Sequence, residues 1–522
     1  MALADLVLLN GKILTMNASQ LTAEAVAVKG DKIIQVGSNN AVSKLIGENT
    51  RVIRLEGKTV LPGLIDTHIH VADFGETLAW LDLETAVSIA DLQSRLSNRI
   101  TKTTKGKWVL GKGWNQNCFA EKRLPTRFDL DKVSPDNPVV LYHQSGKLCV
   151  VNSKALAAAS IPQQSNTGVD RNEETGEPTG ILRDEAMNLV WRVVPETTEE
   201  DLLEATATAC GKIVESGVTS IHWIVLSPVE ISIIRKLSAQ DRLPLRVYVI
   251  IPANLLEELL SSKRGASFAE ETLPLGGVVI FADGYLAART AALTQPYSDN
   301  KAPSTGLLYT QEELTALAAK VRKANLQLII HAVGDKAVNA ALTAIETTAT
   351  TGKSLRDRIE QAAVLNEALI RRIKKQQALV SVQPNVVASE FSVWSAAERL
   401  GAERARWLFP LKTLLKNGVR VVSGSDCPME LLNPLSGVQA AVTRKAFPEE
   451  RVTVEEALRM VTVDAAYASS EEQLKGSIER GKLADFTVLS SNPETAPPSE
   501  IEKITVETTI IGGKVVYQKL PA

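Results

Sequence analysis

Short apolar runs alternate with stretches of helical periodicity through the middle of the chain. Strands that alternate with helices in this way are typical of a parallel α/β fold. Eight apolar runs predict the strands of one sheet, at residues 63–68, 217–223, 245–251, 278–284, 326–332, 357–364, 378–384 and 419–426. Eight βα units indicate a TIM (β/α)8 barrel, in which the chemistry takes place at the carboxyl ends of the strands.

Both ends of the chain contain shorter apolar runs that are separated by turn residues. Three dipeptides separate such runs: Asn10-Gly11, Gly30-Asp31 and Gly512-Gly513. Each predicts a β-hairpin, and the Asn-Gly pair does so most clearly because it supplies the positive φ angles of a type I′ turn. We expect residues 1–58 and 472–522 to form one small β-sandwich domain, with the barrel of residues 59–471 inserted between them. Two unrelated β appendages are the alternative.

The interval between the first two predicted barrel strands is far too long for a βα loop. Residues from about 72 to 205 are therefore predicted to form an inserted α/β subdomain. Its segments 107–111 and 138–143 resemble strands, and others have helical periodicity. We expect this insertion to cover the mouth of the barrel.

Length and composition are those of an ordinary globular protein. The 522 residues suit one large domain with a smaller one, and 44% apolar residues with a net charge of −2 do not favour a nucleic-acid or membrane partner. A basic signal-peptide region and an apolar run of the roughly 18 residues that span a membrane are not found. Four scattered cysteines without CxxC spacing predict reduced thiols in a cytoplasmic protein. We expect a small-molecule substrate and a possible homodimer.

The run Asp66-Thr67-His68-Ile69-His70 carries the clearest chemical signal. Residues two apart on a strand point to the same side, so both imidazoles can reach one ion. Two neutral imidazoles suit zinc and related divalent metals. HxH alone is a weak motif, but here it ends the first predicted barrel strand, where the fold places its chemistry.

Residues 60–70, VLPGLIDTHIH, resemble the strand-one signature of the amidohydrolase superfamily. Further segments continue the resemblance in order along most of the chain, at 111–114, 151–156, 176–182, 281–284, 289–291, 330–335, 381–384 and 424–428. Together they are similar to the branch that includes N-substituted formamide deformylase and the exoenzyme-regulatory-protein-like metal-dependent hydrolases.

The resemblance implies a set of metal ligands. His68, His70, His331 and Asp426 match the HxH of strand one, the histidine of strand five and the aspartate of strand eight. It also implies that Asp426 takes a proton from metal-bound water. In the alternatives that need no metal, His331 is a hydrogen-bonded barrel histidine and Asp426 caps a helix.

Two positions depart from the family pattern. Its members often have a carboxylated lysine on strand four and a histidine on strand six, where this chain has Val279 and Gln361. In the insertion, Ser145-Gly146-Lys147 stands in place of Asp-Gly-His. The resemblance therefore implies one divalent ion, zinc, rather than two, as in the single-metal deaminase-like members.

Three further residues are candidates for catalysis or substrate orientation. His222 ends the second predicted strand and is either a ligand or catalytic group or a hydrogen-bonded neighbour. Lys147 either reaches the centre as a cation or carbamate or is a solvated residue at the mouth. Gln361 is a candidate for orienting the substrate.

Three weaker candidates are predicted to bind substrate. Asp283 and Arg289 flank a Gly-containing βα loop, where they either position substrate or form a structural ion pair. Trp114 either lines the pocket or packs in a core.

The residues predict a metal-dependent hydrolase, and the resemblance implies that it cleaves a non-peptide C–N bond in an amide, formamide or cyclic amide. A divalent ion lowers the pKa of bound water to about 7, and Asp426 accepts the proton and returns it to the leaving nitrogen. One alternative is a single-metal deaminase of a heterocyclic substrate. Another is a degenerate family member that acts as a binding or regulatory protein, for which Val279 and Gln361 argue.

Overall fold

In the computed structural model, eight parallel strands form the largest sheet. In chain order they are β1 (Leu64–Ile69), β2 (Val218–Ile224), β3 (Arg246–Pro252), β4 (Leu275–Phe281), β5 (Gln327–Ala332), β6 (Arg358–Gln361), β7 (Leu379–Val382) and β8 (Val421–Ser423). Each strand pairs in parallel with the next. All eight predicted strands are found, and the TIM barrel is confirmed.

The barrel closes between β1 and the chain that follows β8. The amide of Asp426 donates to the carbonyl of His68 (2.8 Å), and the amide of His70 donates to the carbonyl of Cys427 (3.0 Å). The side chain of Asp66 accepts from the amide of Ser425 (2.9 Å). Closure therefore places the carboxyl ends of the first and last strands side by side.

Helices connect the barrel strands. They span Val71–Ala79, Glu199–Glu215, Pro228–Ala239, Ala253–Ser261, Gln311–Lys323, Asp335–Thr347, Glu367–Gln376, Pro384–Ser392, Ala396–Leu400, Ala402–Ala405, Leu411–Lys416, Pro434–Thr443, Val454–Met460 and Val463–Ala468. The helix Gln311–Lys323 shows why they form. It begins at a capping box between Thr310 and Glu313, and it buries Leu314 and Val321 on one face.

A β domain is built from both ends of the chain. One sheet contains, in spatial order, Lys32–Gly37, Ala25–Lys29, Leu6–Leu9 and Arg51–Arg54; the other contains Lys514–Gln518, Val506–Ile511, Phe486–Leu489, Thr59–Pro62, Lys12–Asn17 and Gln20–Ala23. Leu6 and Val26 of the first sheet and Ile13 and Phe486 of the second share one apolar core. The single terminal β domain is confirmed, and the alternative of two separate appendages is wrong. A short helix, Asn39–Ser43, and a 3-10 helix, Pro498–Lys503, complete the terminal segments.

The hairpin predicted at Asn10-Gly11 is wrong, whereas those at Gly30-Asp31 and Gly512-Gly513 are confirmed. Leu6–Leu9 and Lys12–Asn17 lie in different sheets and do not pair. Asn10 has the expected positive φ of 59°, but the chain uses it to turn from one sheet to the other. Turn residues fix the local bend, whereas burial of both apolar strands decides which partners they take.

The insertion forms a unit of its own, Gly75–Ala205. Its six-stranded sheet contains, in spatial order, Val169–Arg171, Pro178–Arg183, Leu148–Val151, Val139–His143, Val109–Trp114 and Leu81–Asp82. Its helices are Ile89–Ile100, Arg127–Asp131, Ser153–Ala158 and Met187–Trp191. The α/β insertion is confirmed, and its placement over the barrel mouth stays a prediction.

The structure describes residues 3–145, 147–161, 167–261, 273, 275–299, 306–349, 356–392 and 396–520. Gly146, which belongs to a departure from the family pattern, lies outside them. Among the described residues, no helix is long and apolar enough to cross a membrane.

A substitution at Gly424, which follows β8, tests how closely the two ends of the barrel sheet approach each other. A Cβ atom there would lie 2.5 Å from both the backbone nitrogen and the Cβ of His68. We expect Gly424→Ala to lower the free energy of unfolding by about 1–3 kcal/mol, the usual cost of overpacking. Urea denaturation measures it. Gly437→Ala is the matched control, since its Cβ would meet only Ser423 Oγ at 4.0 Å in a helix where alanine is favoured. An equal loss in both variants would contradict the close approach.

Candidate metal centre

Three side chains that could hold a metal ion meet where β1 and β8 end. His68 Nε2 lies 3.4 Å from Oδ1 of Asp426, and His70 Nε2 lies 3.8 Å from the same oxygen. One ligand atom from each of the three residues lies within 4.8 Å of the others. Ligands about 2 Å from a tetrahedral zinc ion are about 3.3 Å apart, so a small inward movement would allow all three to bind one ion.

Local backbone geometry sets these three side chains in place. His68 and His70 alternate along the end of β1 and therefore share a side. Asp426 has a positive φ of 61°, which aspartate tolerates better than most residues. Its amide is held by the His68 carbonyl, so the same hydrogen bond that closes the barrel fixes the distance between ligands.

His331, the fourth predicted ligand, lies on β5 and lines the same cavity. It is 2% exposed, and within the described part of the chain neither of its ring nitrogens has a hydrogen-bond partner. Its ring nitrogens are not part of the 4.8 Å cluster. The alternative of a hydrogen-bonded barrel histidine has no support in this arrangement.

The protonation of these imidazoles fits a divalent cation. Burial lowers the pKa of His70 and of His331 to about 4, so both rings are neutral at neutral pH and can donate a lone pair. Both ring nitrogens of His331 are buried without a hydrogen-bond partner among the described residues. Since an unpaired buried nitrogen is costly, a cation that accepts the lone pair of this neutral ring would stabilise the site.

A buried carboxylate on β6 orients His68. Glu360 accepts from Nδ1 of His68 (2.8 Å) and from Nε2 of Gln383 (3.3 Å), and it is paired with Arg358. Both members of this ion pair are fully buried. Because a carboxylate only accepts, Nδ1 of His68 carries a proton and donates it to Glu360, and Nε2 faces the cluster.

The two charges stabilise each other and His68. Burial alone would raise the pKa of Glu360, but Arg358 and His68 bring it to about 2. Burial alone would lower the pKa of His68, but Glu360 and Asp426 raise it to about 10. Glu360 is therefore an anion at neutral pH, and His68 holds a proton that a metal ion would have to displace from Nε2.

The ligands open on a cavity of about 410 Å³. Most of its wall is apolar, formed by residues such as Leu226, Phe281, Val333, Val386 and Phe409. A volume of this size and character is typical of a small-molecule site.

Val279 and Gln361, the two departures from the two-metal pattern, have different surroundings. Val279 is 1% exposed and packs with Ile224, Ile250 and Ile329 in the barrel interior. Gln361 lines the cavity, and its φ of 68° places it at the bend that ends β6. Among the described residues, these positions add no ligand to the cluster of His68, His70 and Asp426.

Asp283 and Arg289 do not pair with each other. Both oxygens of Asp283 accept backbone amides, from Val333 (2.8 Å), Gly334 (2.9 Å) and Ala292 (2.8 Å), and burial raises its pKa to about 6. Arg289 instead binds Asp299. Neither lines the cavity in the part of the chain that is described. These contacts favour structural roles, and substrate contact by either residue stays a prediction.

His222 is fully buried, and its Nδ1 lies 3.0 Å from Arg358. Burial and the charge of Arg358 place its pKa well below the usual value, so it is neutral. It is absent from the described lining of the cavity. These contacts favour a hydrogen-bonded neighbour over a catalytic group.

Lys147 and Trp114 belong to the unit Gly75–Ala205. Lys147 is exposed there, and its role in catalysis stays a prediction. Trp114 is fully buried, and its indole donates to the carbonyl of Leu141 (2.8 Å). Its surroundings favour packing over pocket lining.

Arg358 and Glu360 were not among the residues predicted from the sequence. The signal that could have identified them is a pair of opposite charges at alternate positions of a predicted barrel strand, since such residues share one face of the strand.

Comparison with known proteins extends over nearly the whole chain. Residues 51–517 match the model of the amidohydrolase family. The chain is 32% identical to the protein LONG AFTER FAR-RED 3 of Arabidopsis thaliana, over 98% of this chain and 92% of that protein. It is 27% identical to N-substituted formamide deformylase of Arthrobacter pascens, over 99% of this chain and 98% of that protein. A crystal structure of a metal-dependent hydrolase from Pyrococcus furiosus has a TM-score of 0.78 and 29% identity, covering 94% of this chain and 100% of that one.

The role of Glu360 can be tested through metal affinity. We expect Glu360→Gln to weaken zinc binding about 10- to 100-fold, because an amide orients His68 less well than a carboxylate. Competition with a chromogenic chelator measures the affinity. Glu367→Gln, at an exposed helix position, is the matched control and should bind zinc as the unchanged chain does. Equal affinities in the two variants would contradict the role assigned to Glu360.

Proposed function

The chain belongs to the amidohydrolase family, and from this premise we propose that it is a metal-dependent hydrolase that cleaves a non-peptide C–N bond in an amide, formamide or cyclic amide. One observation carries the proposal. His68, His70 and Asp426 converge where the carboxyl ends of β1 and β8 meet, beside a cavity with a largely apolar wall. The relation to N-substituted formamide deformylase supports a C–N bond as the target.

The ion we propose is a single zinc. His68, His70, His331 and Asp426 offer three imidazoles and one carboxylate, a set that suits zinc better than magnesium or calcium. Val279 supplies no bridging carboxylate and Gln361 no imidazole, which argues against a second ion.

Each residue of the site has a distinct task. When bound, the divalent ion supplies Lewis acidity, which activates water near neutral pH and polarises the scissile carbonyl. Asp426 accepts the proton of the attacking water and delivers it to the leaving nitrogen, since its carboxylate faces both the ligands and the cavity. Glu360 keeps Nε2 of His68 directed at the cluster. Gln361, on the cavity wall, orients the substrate through its amide.

We further propose that its partner in solution is a small molecule rather than a nucleic acid or a membrane. The net charge of −2 and a cavity with apolar walls support this.

Metal content tests the single-ion proposal. Protein purified without chelator should contain about one equivalent of zinc per chain, measured by inductively coupled plasma mass spectrometry. His68→Ala should lose most of it, because the HxH pair is broken. Two equivalents would overturn the single-ion proposal.

Activity tests the role of Asp426. We expect Asp426→Asn to lower kcat about a hundredfold to ten-thousandfold on N-acyl and N-formyl amines, because an amide does not accept the proton. Asp136→Asn, at an exposed ion pair with Lys105, is the control and should keep full activity.

The same substrate screen separates the alternatives. Ammonia release from a heterocycle without amide hydrolysis would favour a single-metal deaminase. A chain with no bound metal and no activity that depends on His68 would be a binding or regulatory protein.

A further inference from the structure

The described wall of the cavity carries several acids and no Lys or Arg. Besides the ligand Asp426, it contains Asp73, Glu390 and Glu430. An electronegative cavity with low-dielectric walls concentrates its field, so it favours cationic ligands and repels anionic ones.

Glu390 differs from Glu430 in that one of its carboxylate oxygens is unpaired among the described residues. It lies on the helix Pro384–Ser392, which follows β7, and is only 5% exposed. Its Oε2 is buried and has no hydrogen-bond partner among the described residues. Glu430, by contrast, accepts a hydrogen bond from Ser389.

The positive charge of Arg399 acts on Glu390 but does not form an ion pair with it among the described residues. Arg399 lowers its pKa, but the two make no ion pair among the described residues, and the Arg399 guanidinium donates to the carbonyl of Leu286 (2.9 Å). Burial outweighs Arg399 and raises the pKa of Glu390 to about 7. An unpaired buried carboxylate is costly, so folding alone does not explain its place in this wall.

We propose that the Glu390 carboxylate binds the ammonium group of a cationic substrate, an acylated or formylated diamine whose scissile C–N bond lies at the metal centre. This assignment rests on the proposed function of the same site. The apolar side chains of Val386 and Phe409 line the cavity together with Glu390 and would contact the methylene chain between the two nitrogens. Glu430 and Asp73 add to the negative field without being the direct partner.

Substrate preference tests the proposal. N-(ω-aminoalkyl)formamides from propyl to hexyl are compared with neutral N-alkylformamides of equal length, using kcat/KM at pH 8 on the zinc-loaded enzyme. The best ammonium substrate should exceed its neutral counterpart by about tenfold or more, the range of one charge-assisted hydrogen bond. In Glu390→Gln this ratio should fall about tenfold, mainly through KM. Glu398→Gln, an exposed substitution on the next helix, should keep the ratio.

Equilibrium binding separates this inference from the proposed hydrolase. Calorimetry with hexylammonium chloride and with hexanol should show tighter binding of the cation, and Glu390→Gln should remove the difference. If no formamide is hydrolysed but this difference exists and depends on Glu390, the hydrolase proposal fails and the ammonium site stands. If neutral formamides are hydrolysed and the ammonium series is not preferred, the hydrolase stands and the ammonium site is overturned. Loss of the preference in Glu430→Gln but not in Glu390→Gln would also overturn it.

Thermal denaturation shows whether Glu390→Gln changes the substrate ratio through a folding defect. Because Glu390→Gln replaces an unpaired buried carboxylate by a neutral amide, its Tm at pH 8 should equal or exceed that of the unchanged chain. An altered substrate ratio with a much lower Tm would assign Glu390 a structural role and overturn the proposal.

Discussion

The contact between the end of β1 and the chain after β8 controls the rest of the site. Two backbone hydrogen bonds, from Asp426 to His68 and from His70 to Cys427, join the first and last strands of the barrel. The residues that form this junction are themselves the proposed ligands. Asp66 on β1 stabilises the junction, because its side chain accepts hydrogen bonds from the amides of Ser425 and His68. Barrel closure and ligand geometry are therefore one constraint, and neither can change without the other.

A charged system inside the barrel supports this junction. Two fully buried charges, Arg358 and Glu360, are expensive to desolvate and contribute little net stability compared with an apolar pair. Their value lies in orientation, because Glu360 holds His68 while Arg358 contacts the carbonyl of Thr67 and the ring of His222. Burial and the charge of Arg358 keep His222 neutral. Its contact with Arg358 favours a supporting role over a catalytic one.

The cavity joins a polar end to an apolar wall. At the polar end lie the neutral imidazoles of His70 and His331, which burial keeps deprotonated and ready to bind a cation. Along the wall, the carboxylate of Glu390 has no partner within the described part of the chain. Unpaired polar groups in the wall of one largely apolar cavity support a ligand with two polar sites joined by an apolar segment. This combination fits the family's chemistry while narrowing the class of substrate.

The sequence by itself determined the barrel, the terminal β domain and the three side chains that meet at the candidate metal centre. A continuous run of apolar residues indicates a buried strand, and HxH at the end of a strand indicates that two imidazoles lie on the same side. Both signals are contained in a short stretch of sequence. Only the tertiary structure decided the rest. It showed that Leu6–Leu9 and Lys12–Asn17 lie in separate sheets and that Asp283 accepts backbone amides. It also placed Glu390 in the cavity wall, with Oε2 unpaired among the described residues. The reason is physical: pairing, burial and charge compensation depend on residues hundreds of positions apart, which a local pattern does not contain.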